Sequence, residues 1–289
     1  MASPPETGSA LETDGVATDT RPAAVIAPRW ADVRVPGWRH HLDVIVALSE
    51  SDLRARYGRG SLRLFKWLLD PFAAVGVYLL LTTFVLDRPG AAPGLSIACA
   101  VVPFQLVMSS IVNALSAVGM RRSIILNMTF ERAIIPLSAV LTETIAFAAS
   151  LLLLVIMMVV YGVAPTVAVL WLPVVLLSVI LLGVACAYIA SLPGLWFREL
   201  RVFFISFVRT MFFLAPGLIA LADIPGRAND LIKVNPLTGL FEAFRDVLLY
   251  GQRPAAWEIL YPLGFSIVML LIFVPLYRLE QRDFAKVIE

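Results

Sequence analysis

Residues 134–161 read IIPLSAVLTETIAFAASLLLLVIMMVVY, and after a gap of five residues 167–190 read VAVLWLPVVLLSVILLGVACAYIA. The first stretch carries one charged side chain, Glu143, in 28 positions, and the second carries none. A bilayer core about 30 Å thick is crossed by roughly 20 apolar residues in helical form. In hydrocarbon the backbone polar groups must bond to one another, which a helix achieves within its own length. The two runs therefore predict a pair of membrane helices joined by a short turn.

Working outward, four more runs of this kind lie at about 67–86, 94–117, 202–220 and 259–277. The predicted fold class is an all-α membrane protein with six transmembrane helices. Composition agrees: 60% of the 289 residues are hydrophobic and 15% are charged, against about 25% charged in an ordinary soluble domain. A soluble enzyme is excluded, and the length left after the polar first 40 residues holds six or seven spans, not twelve. Residues 1–40 mix Pro, Ala, Thr and acids without an apolar period and predict a disordered tail. They lack the basic start and apolar core of a signal peptide. The predicted domain is 41–289.

Just before the first span, Leu42, Ile45, Val46, Leu53 and Tyr57 fall in one arc of a helical wheel, with Asp43, Glu50, Asp52 and Arg54 outside it. An amphipathic helix over 42–57 follows, either lying in the membrane surface or packed on the protein; Val44 and Leu48 sit on its polar side. Lys and Arg near the span ends number 13 on one side of the membrane and 5 on the other. The positive-inside rule then puts both termini in the cytoplasm. In the connection between spans 5 and 6, Asn235-Pro236 reads as a helix N-cap with Pro at the first helical position. Leu237, Leu240, Phe241, Phe244, Val247 and Leu248 follow at helical spacing up to Gly251. One or two short amphipathic helices should re-enter the outer face there.

Sites for soluble-type chemistry are missing from the pattern. No phosphate-cradling Gly-rich loop with its Lys occurs, and the cluster at Tyr57-Gly58-Arg59-Gly60-Ser61 lacks the spacing. Cys99 and Cys186 sit alone in apolar runs and read as small packing residues. His40 and His41 are adjacent and do not face one site, so no metal site is expected. The sequon Asn127-Met128-Thr129 lies in a predicted cytoplasmic loop, away from glycosylation.

Polar groups inside the spans are the candidates for function. Gln105, Ser109, Asn113 and Ser116 lie within about 80° on the wheel of span 2. They form either a wet path or polar glue between helices. Tyr78 and Thr82 make a smaller stripe on span 1, and aromatic rings beside hydroxyls suit a sugar. Glu143 and Arg209 sit at matching depths, roughly 12–14 Å in, and are expected to pair, as a structural or functional couple. Ser206 and Phe213 share the Arg209 face, which should point inward, leaving Phe203 and Phe207 to lipid or packing.

These residues carry a family likeness. Residues 54–62 (RARYGRGSL) running into 66–72 (KWLLDPF) resemble the entry to the first span of the ABC-2 type permeases, with Asp70 where that family usually has Asn. Residues 127–136 (NMTFERAIIP) resemble its cytoplasmic segment after span 2, and Phe197-Arg198-Glu199 its F-R-D element. Asn235-Pro236-Leu237 with Glu242, Arg245 and Asp246 is similar to its outer element. The likeness runs from about residue 42 to the end and is nearest to the polysaccharide exporters of the Wzm and teichoic-acid type.

The resemblance implies a half-transporter in the bacterial plasma membrane. Two copies would form the channel, and two copies of a separate Mg-ATP-binding subunit would sit beneath, with no cofactor in this chain. Arg121, Arg122, Asn127, Phe130, Glu131, Arg132, Arg198 and Glu199 are then the expected ATPase-coupling residues. The lining is expected from Tyr78, Thr82, Gln105, Ser109, Asn113, Ser116, Ser206, Arg209 and Phe213, and the outer gate from Asn235, Pro236, Phe241 and Phe244. Arg outnumbers Lys 20 to 3, as in GC-rich genomes, which directs the substrate expectation to an actinobacterial polyprenyl-diphosphate-linked galactan, with no nucleic acid involved. A secondary transporter, or a membrane enzyme acting on lipid-linked sugars, are the rival readings; the second would need clustered acids or His, and the acids here are scattered.

Overall fold

The computed structural model describes residues 38–57, 63–81, 84, 92–121, 131–196, 200–224 and 226–280. Among them the regular elements are helical: α1 (Trp38–Tyr57), α2 (Arg63–Leu80), α3 (Pro93–Met120), α4 (Ile134–Tyr161), α5 (Leu172–Trp196), α6 (Leu200–Leu214), α7 (Arg227–Ile232), α8 (Pro236–Leu248) and α9 (Ala256–Glu280). Short 3₁₀ turns at Val167–Trp171 and Leu221–Asp223 precede α5 and α7. Of the one or two short amphipathic helices expected in the connection that precedes the last span, α8 carries the apolar stripe, and the six-residue α7 comes before it.

α3 is the axis of the bundle. Apart from its polar stripe it is apolar and mostly buried, as befits a helix on the inside of a bundle. α5, α4, α2, α8 and α6 all pack against it. Close approach depends on small side chains: Ala98, Ala100, Ala114 and Ala117 of α3 are almost fully buried. Gly194 of α5 crosses α3 so tightly that an added Cβ would stand 2.5 Å from the Leu115 carbonyl oxygen. At the other end of the bundle Gly239 lets α8 lie on α9, where a Cβ would come 2.8 Å from the Glu258 carbonyl oxygen.

Among the described residues, four helical segments are long and apolar enough to cross a membrane: Pro93–Met120, Ile134–Tyr161, Val167–Gly194 and Ala256–Glu280. They coincide with the expected spans 2, 3, 4 and 6 to within a few residues. The two others differ. α6 ends at Leu214 and the chain leaves the helix before residue 220, so its 15 residues reach only about 22 Å. α2 covers most of the expected first span, with its apolar part at Pro71–Leu80.

The amphipathic helix α1 begins at Trp38, inside the expected tail, while residues 1–37 lie outside the described residues. Its buried face is rotated from the expected arc. Ile45, Leu48, Ser49 and Leu53 are covered, while Leu42 and Val46 are exposed. The reason is a polar contact that a hydrophobic wheel ignores. The Ser49 hydroxyl reaches the Ser138 carbonyl of α4 at 3.0 Å and turns Leu48 inward with it.

Gly194→Ala should lower the melting temperature of the purified protein, since overpacking against backbone costs about 1–3 kcal/mol. Gly76→Ala and Gly264→Ala, where an added Cβ meets nothing within 4 Å, should leave it unchanged. Equal melting of all three variants would refute the tight α3–α5 crossing.

Candidate functional site

A groove of about 340 Å³ opens between α2, α3 and α6. Ala74 and Tyr78 come from α2, Val101, Phe104, Gln105 and Met108 from α3, and Arg209, Phe212 and Phe213 from α6. Four residues singled out from the sequence, Tyr78, Gln105, Arg209 and Phe213, thus meet in one place. The rings are arranged as a relay. Phe212 lies 4.7 Å from Phe104, 5.3 Å from Tyr78 and 5.9 Å from Phe241 of α8, centroid to centroid. Phe213 stands edge-on to Tyr78 at 6.4 Å. Polar groups of three chemistries, a phenol, a carboxamide and a guanidinium, therefore face a space walled mainly by aromatic carbon.

The rest of the α3 polar stripe divides. Asn113 turns to α4 and donates its amide to the Glu143 carboxylate. Ser116 bonds back to the Val112 and Asn113 carbonyls of its own helix at 3.2 and 3.3 Å, and Ser109 is half-buried. Ser206 is exposed on α6 and its carbonyl accepts from Thr210 at 3.0 Å. Thr82 lies outside the described residues.

Glu143 and Arg209, expected to pair, are placed apart. Glu143 is held by Asn113, two turns or about 12 Å along α3 from the Gln105 that shares the groove with Arg209. Equal depth fixes one coordinate only. α4 packs on α1, α2, α3 and α5, whereas α6 packs on α3 and α5.

Asn235 and Pro236 start α8 as the sequence predicts: the Asn235 side chain accepts from the Leu237 amide at 3.0 Å. Its amide group also donates to the Met211 carbonyl of α6 at 2.9 Å. Phe241 and Phe244 are fully buried, so they would open a passage only by moving with α8. Beside them lies a polar centre that the site reading from sequence did not include. Arg245, with no exposed surface, meets Glu242 at 2.6 Å. Its other nitrogens donate to the Ser96 hydroxyl of α3 at 3.1 Å and the Gly217 carbonyl at 3.2 Å. Glu242 also accepts from the Leu221 amide at 3.1 Å. The i, i+3 spacing on a helix was its visible signal. Next to it, burial and then the Glu242 charge push the Asp246 carboxyl above its ordinary range, opposed by a hydrogen bond with Glu258.

At the opposite end, Arg121 is buried and ion-paired to Asp52 of α1. Its role is a clip between α3 and α1, and it is not a free surface charge. Glu131 pairs with Arg278 at 2.9 Å, and Arg132 is half-buried. Arg122, Asn127, Phe130, Arg198 and Glu199 lie outside the described residues. A second cavity of about 270 Å³, lined almost wholly by carbon from α3, α5, α6, α8 and α9, lies on the other flank of α6 and includes Phe204 and Phe207.

No family model matches the chain. Individual proteins do. An O-antigen export system permease protein RfbA of Klebsiella pneumoniae is 28% identical over 245 residues, covering 83% of this chain and 94% of that protein. The protein of the same name from Myxococcus xanthus is 26% identical over 246 residues, covering 84% and 94%. This chain is similar over most of its length to O-antigen export permeases. The alignments span nearly the whole length of those relatives, so the groove and the Arg245 centre both lie in a chain of their size.

Removing one member of a buried ion pair costs about 3–5 kcal/mol, whereas removing both costs far less than the sum. Arg245→Met and Glu242→Gln should each sharply reduce the yield and melting temperature of folded protein, and the double variant should recover part of the loss. Recovery stays partial because the Ser96, Gly217 and Leu221 groups lose their partners too. Strictly additive losses would show that the two side chains act independently.

Proposed function

We propose that this chain is the membrane subunit of an ATP-driven exporter of a lipid-linked polysaccharide. The observation that carries the reading is the α2–α3–α6 groove, in a chain similar to O-antigen export permeases. Sugar C–H faces stack on rings while sugar hydroxyls need hydrogen-bonding partners, and Tyr78, Phe104, Phe212 and Phe213 stand there beside Gln105 and Arg209. In this reading α2 and α6 complete a set of six spans, with both termini in the cytoplasm and α7 and α8 at the outer face. Two copies form the passage, and two copies of a partner that binds Mg-ATP drive it. The residues around Arg121–Arg132 and Arg198-Glu199 receive the motion of that partner. Within them Arg121 transmits through Asp52 to α1, so α1 and α3 move as one piece. The substrate is a polyprenyl-diphosphate-linked glycan, a galactan in the specific form of the proposal.

The half-exposed α6 supports the two-copy arrangement. Its open face carries Ser206, Arg209 and Thr210 together with Phe203 and Phe213. Polar and charged groups on a membrane helix face a partner or water rather than lipid.

Affinity purification of the full chain from its native membrane should bring down an ATP-binding subunit in equal amount; a chain that transports its glycan with no such subunit would overturn the ATP-driven reading. Cysteine placed at Gln105 or Phe213, after replacement of Cys99 and Cys186, should react with a membrane-impermeant thiol reagent during turnover. Cysteines at Leu177 and Leu271, which are exposed on the outside of α5 and α9, should not. Equal labelling of both sets would remove the groove from the polymer path.

A further inference from the structure

α8 and α9 meet through a contact between two acids. Gly239 lets the α8 backbone lie against the backbone of Glu258, where an added Cβ would stand 2.8 Å from the carbonyl oxygen. Glu258 is buried in that crossing, with 6% of its surface exposed. Its Oε2 accepts from the Ala255 amide at 3.1 Å. The same carboxyl is hydrogen-bonded to the side chain of Asp246, which is half-buried near the C-terminal end of α8. Among the described residues no ion pair reaches either acid.

The chemistry of that contact fixes its protonation. Ionised carboxylates only accept hydrogen bonds, so two carboxyls bond to each other only with a proton between them, and two like charges so close do not both ionise readily. Arg245, the neighbouring cation, is engaged by Glu242, Ser96 and Gly217. Glu242 adds negative charge from α8 itself, and burial together with that charge holds the Asp246 carboxyl above its ordinary range. In the link to α9, the Tyr250 phenol feels the charges of Asp246 and Asp223, and Arg253 lies over the Trp171 ring at 4.9 Å. α3 brings the Cys99 thiol, beside Arg245 and Glu242. On α9 the next titratable group, Tyr261, donates to the Val234 carbonyl. The turn Val167–Trp171 brings no titratable group, and α5 carries only Cys186, in the carbon-lined cavity, and Tyr188, against Tyr277.

We propose that Asp246 and Glu258 share one proton and with it form a pH-sensitive latch that holds α8 on α9, closed while the proton is bound and released when both acids are ionised. Release acts on what α8 carries. Phe241 and Phe244 are fully buried on that helix, and Phe241 stacks on the Phe212 of the groove, so both rings move when α8 does. The folded chain keeps a proton that free carboxyls would have given up. This part of the stability is therefore complete at acidic pH and is lost as pH rises through the titration of the pair. The latch acts in either orientation of the chain and whatever the groove carries.

The test uses the full chain in nanodiscs, with no substrate and no partner subunit. Infrared difference spectra between about pH 5 and about pH 9 should contain the band of a protonated carboxyl, lost only above the ordinary carboxylate range of about 4. Asp246→Asn and Glu258→Gln should each lack that band. Hydrogen–deuterium exchange of the α8 amides, corrected for its intrinsic pH dependence, should rise on the order of tenfold over that range in the parent protein, the factor carried by one unit of pKa displacement. In Asp246→Asn and Glu258→Gln an amide donates where the proton was, so exchange should stay at the parent's acidic level throughout. Asp246→Ala, which removes the contact, should give the faster exchange at every pH. Tyr250→Phe should keep the parent's profile, and its loss there would move the response to the phenol and overturn the proposal. A parent whose α8 exchange ignores pH, or a pH response that persists in both amide variants, overturns it as well. Should one amide variant fail to fold, the other carries the test, and in the parent alone the carboxyl band and the exchange must titrate together.

Discussion

A single guanidinium holds one end of this molecule together. Arg245 is sealed from solvent, and around it converge α8 through Glu242, the start of α3 through Ser96 and the chain that follows α6 through Gly217. A charge so enclosed is tolerated only when its partner and its remaining donors are all engaged, so the three segments are held at fixed relative positions. Removing the arginine would free them to separate, and leaving it without Glu242 would strand a charge in a dry place. The position of Phe241, and with it the ring relay through Phe212 to Tyr78, depends on this anchor.

The bundle beneath that anchor is organised by size more than by polarity. Lipid tails are as apolar as leucine, so helices in a membrane associate through close packing and hydrogen bonds. α3 supplies both: alanines where α5 and α4 approach, and Gln105, Asn113 and Ser116 where polar groups are wanted. The polar residues of this one helix serve different ends. Gln105 opens on the groove, Asn113 donates to the Glu143 carboxylate, and Ser116 bonds to the backbone of its own helix.

Two ends of the protein are thereby built on the same plan. At one, Arg245 joins α8 to α3; at the other, Arg121 joins α1 to α3 through Asp52. The groove lies along α3 between them, against a helix, α6, that is half uncovered. Among the described residues α3 is thus the one element that runs past the groove and joins both of these buried arginine contacts.

Much of this was legible in the chain itself. The spans at 94–117, 134–161, 167–190 and 259–277 were recoverable because hydrocarbon imposes a length and a composition on any helix that crosses it. The start of α8 was legible because an Asn-Pro cap acts through neighbours in sequence. Tyr78 on α2, Gln105 on α3, and Arg209 with Phe213 on α6 were each legible as part of a face from local periodicity, although their meeting in one groove was not. What periodicity leaves open is which other helix that face meets. Glu143 and Arg209 were expected at the same depth, yet Asn113 holds the carboxylate, because α4 and α6 have different neighbours in the bundle. The inward rotation of α1, the burial of Arg121 and the enclosure of Arg245 belong to the same class. Each depends on a contact between residues far apart in the chain, Ser49 with Ser138, Asp52 with Arg121, Ser96 with Arg245. Sequence determined which segments are long and apolar enough to cross and which side chains share a face; only the tertiary structure decided which faces touch, because that choice is made by fit and charge between segments and not within any one of them.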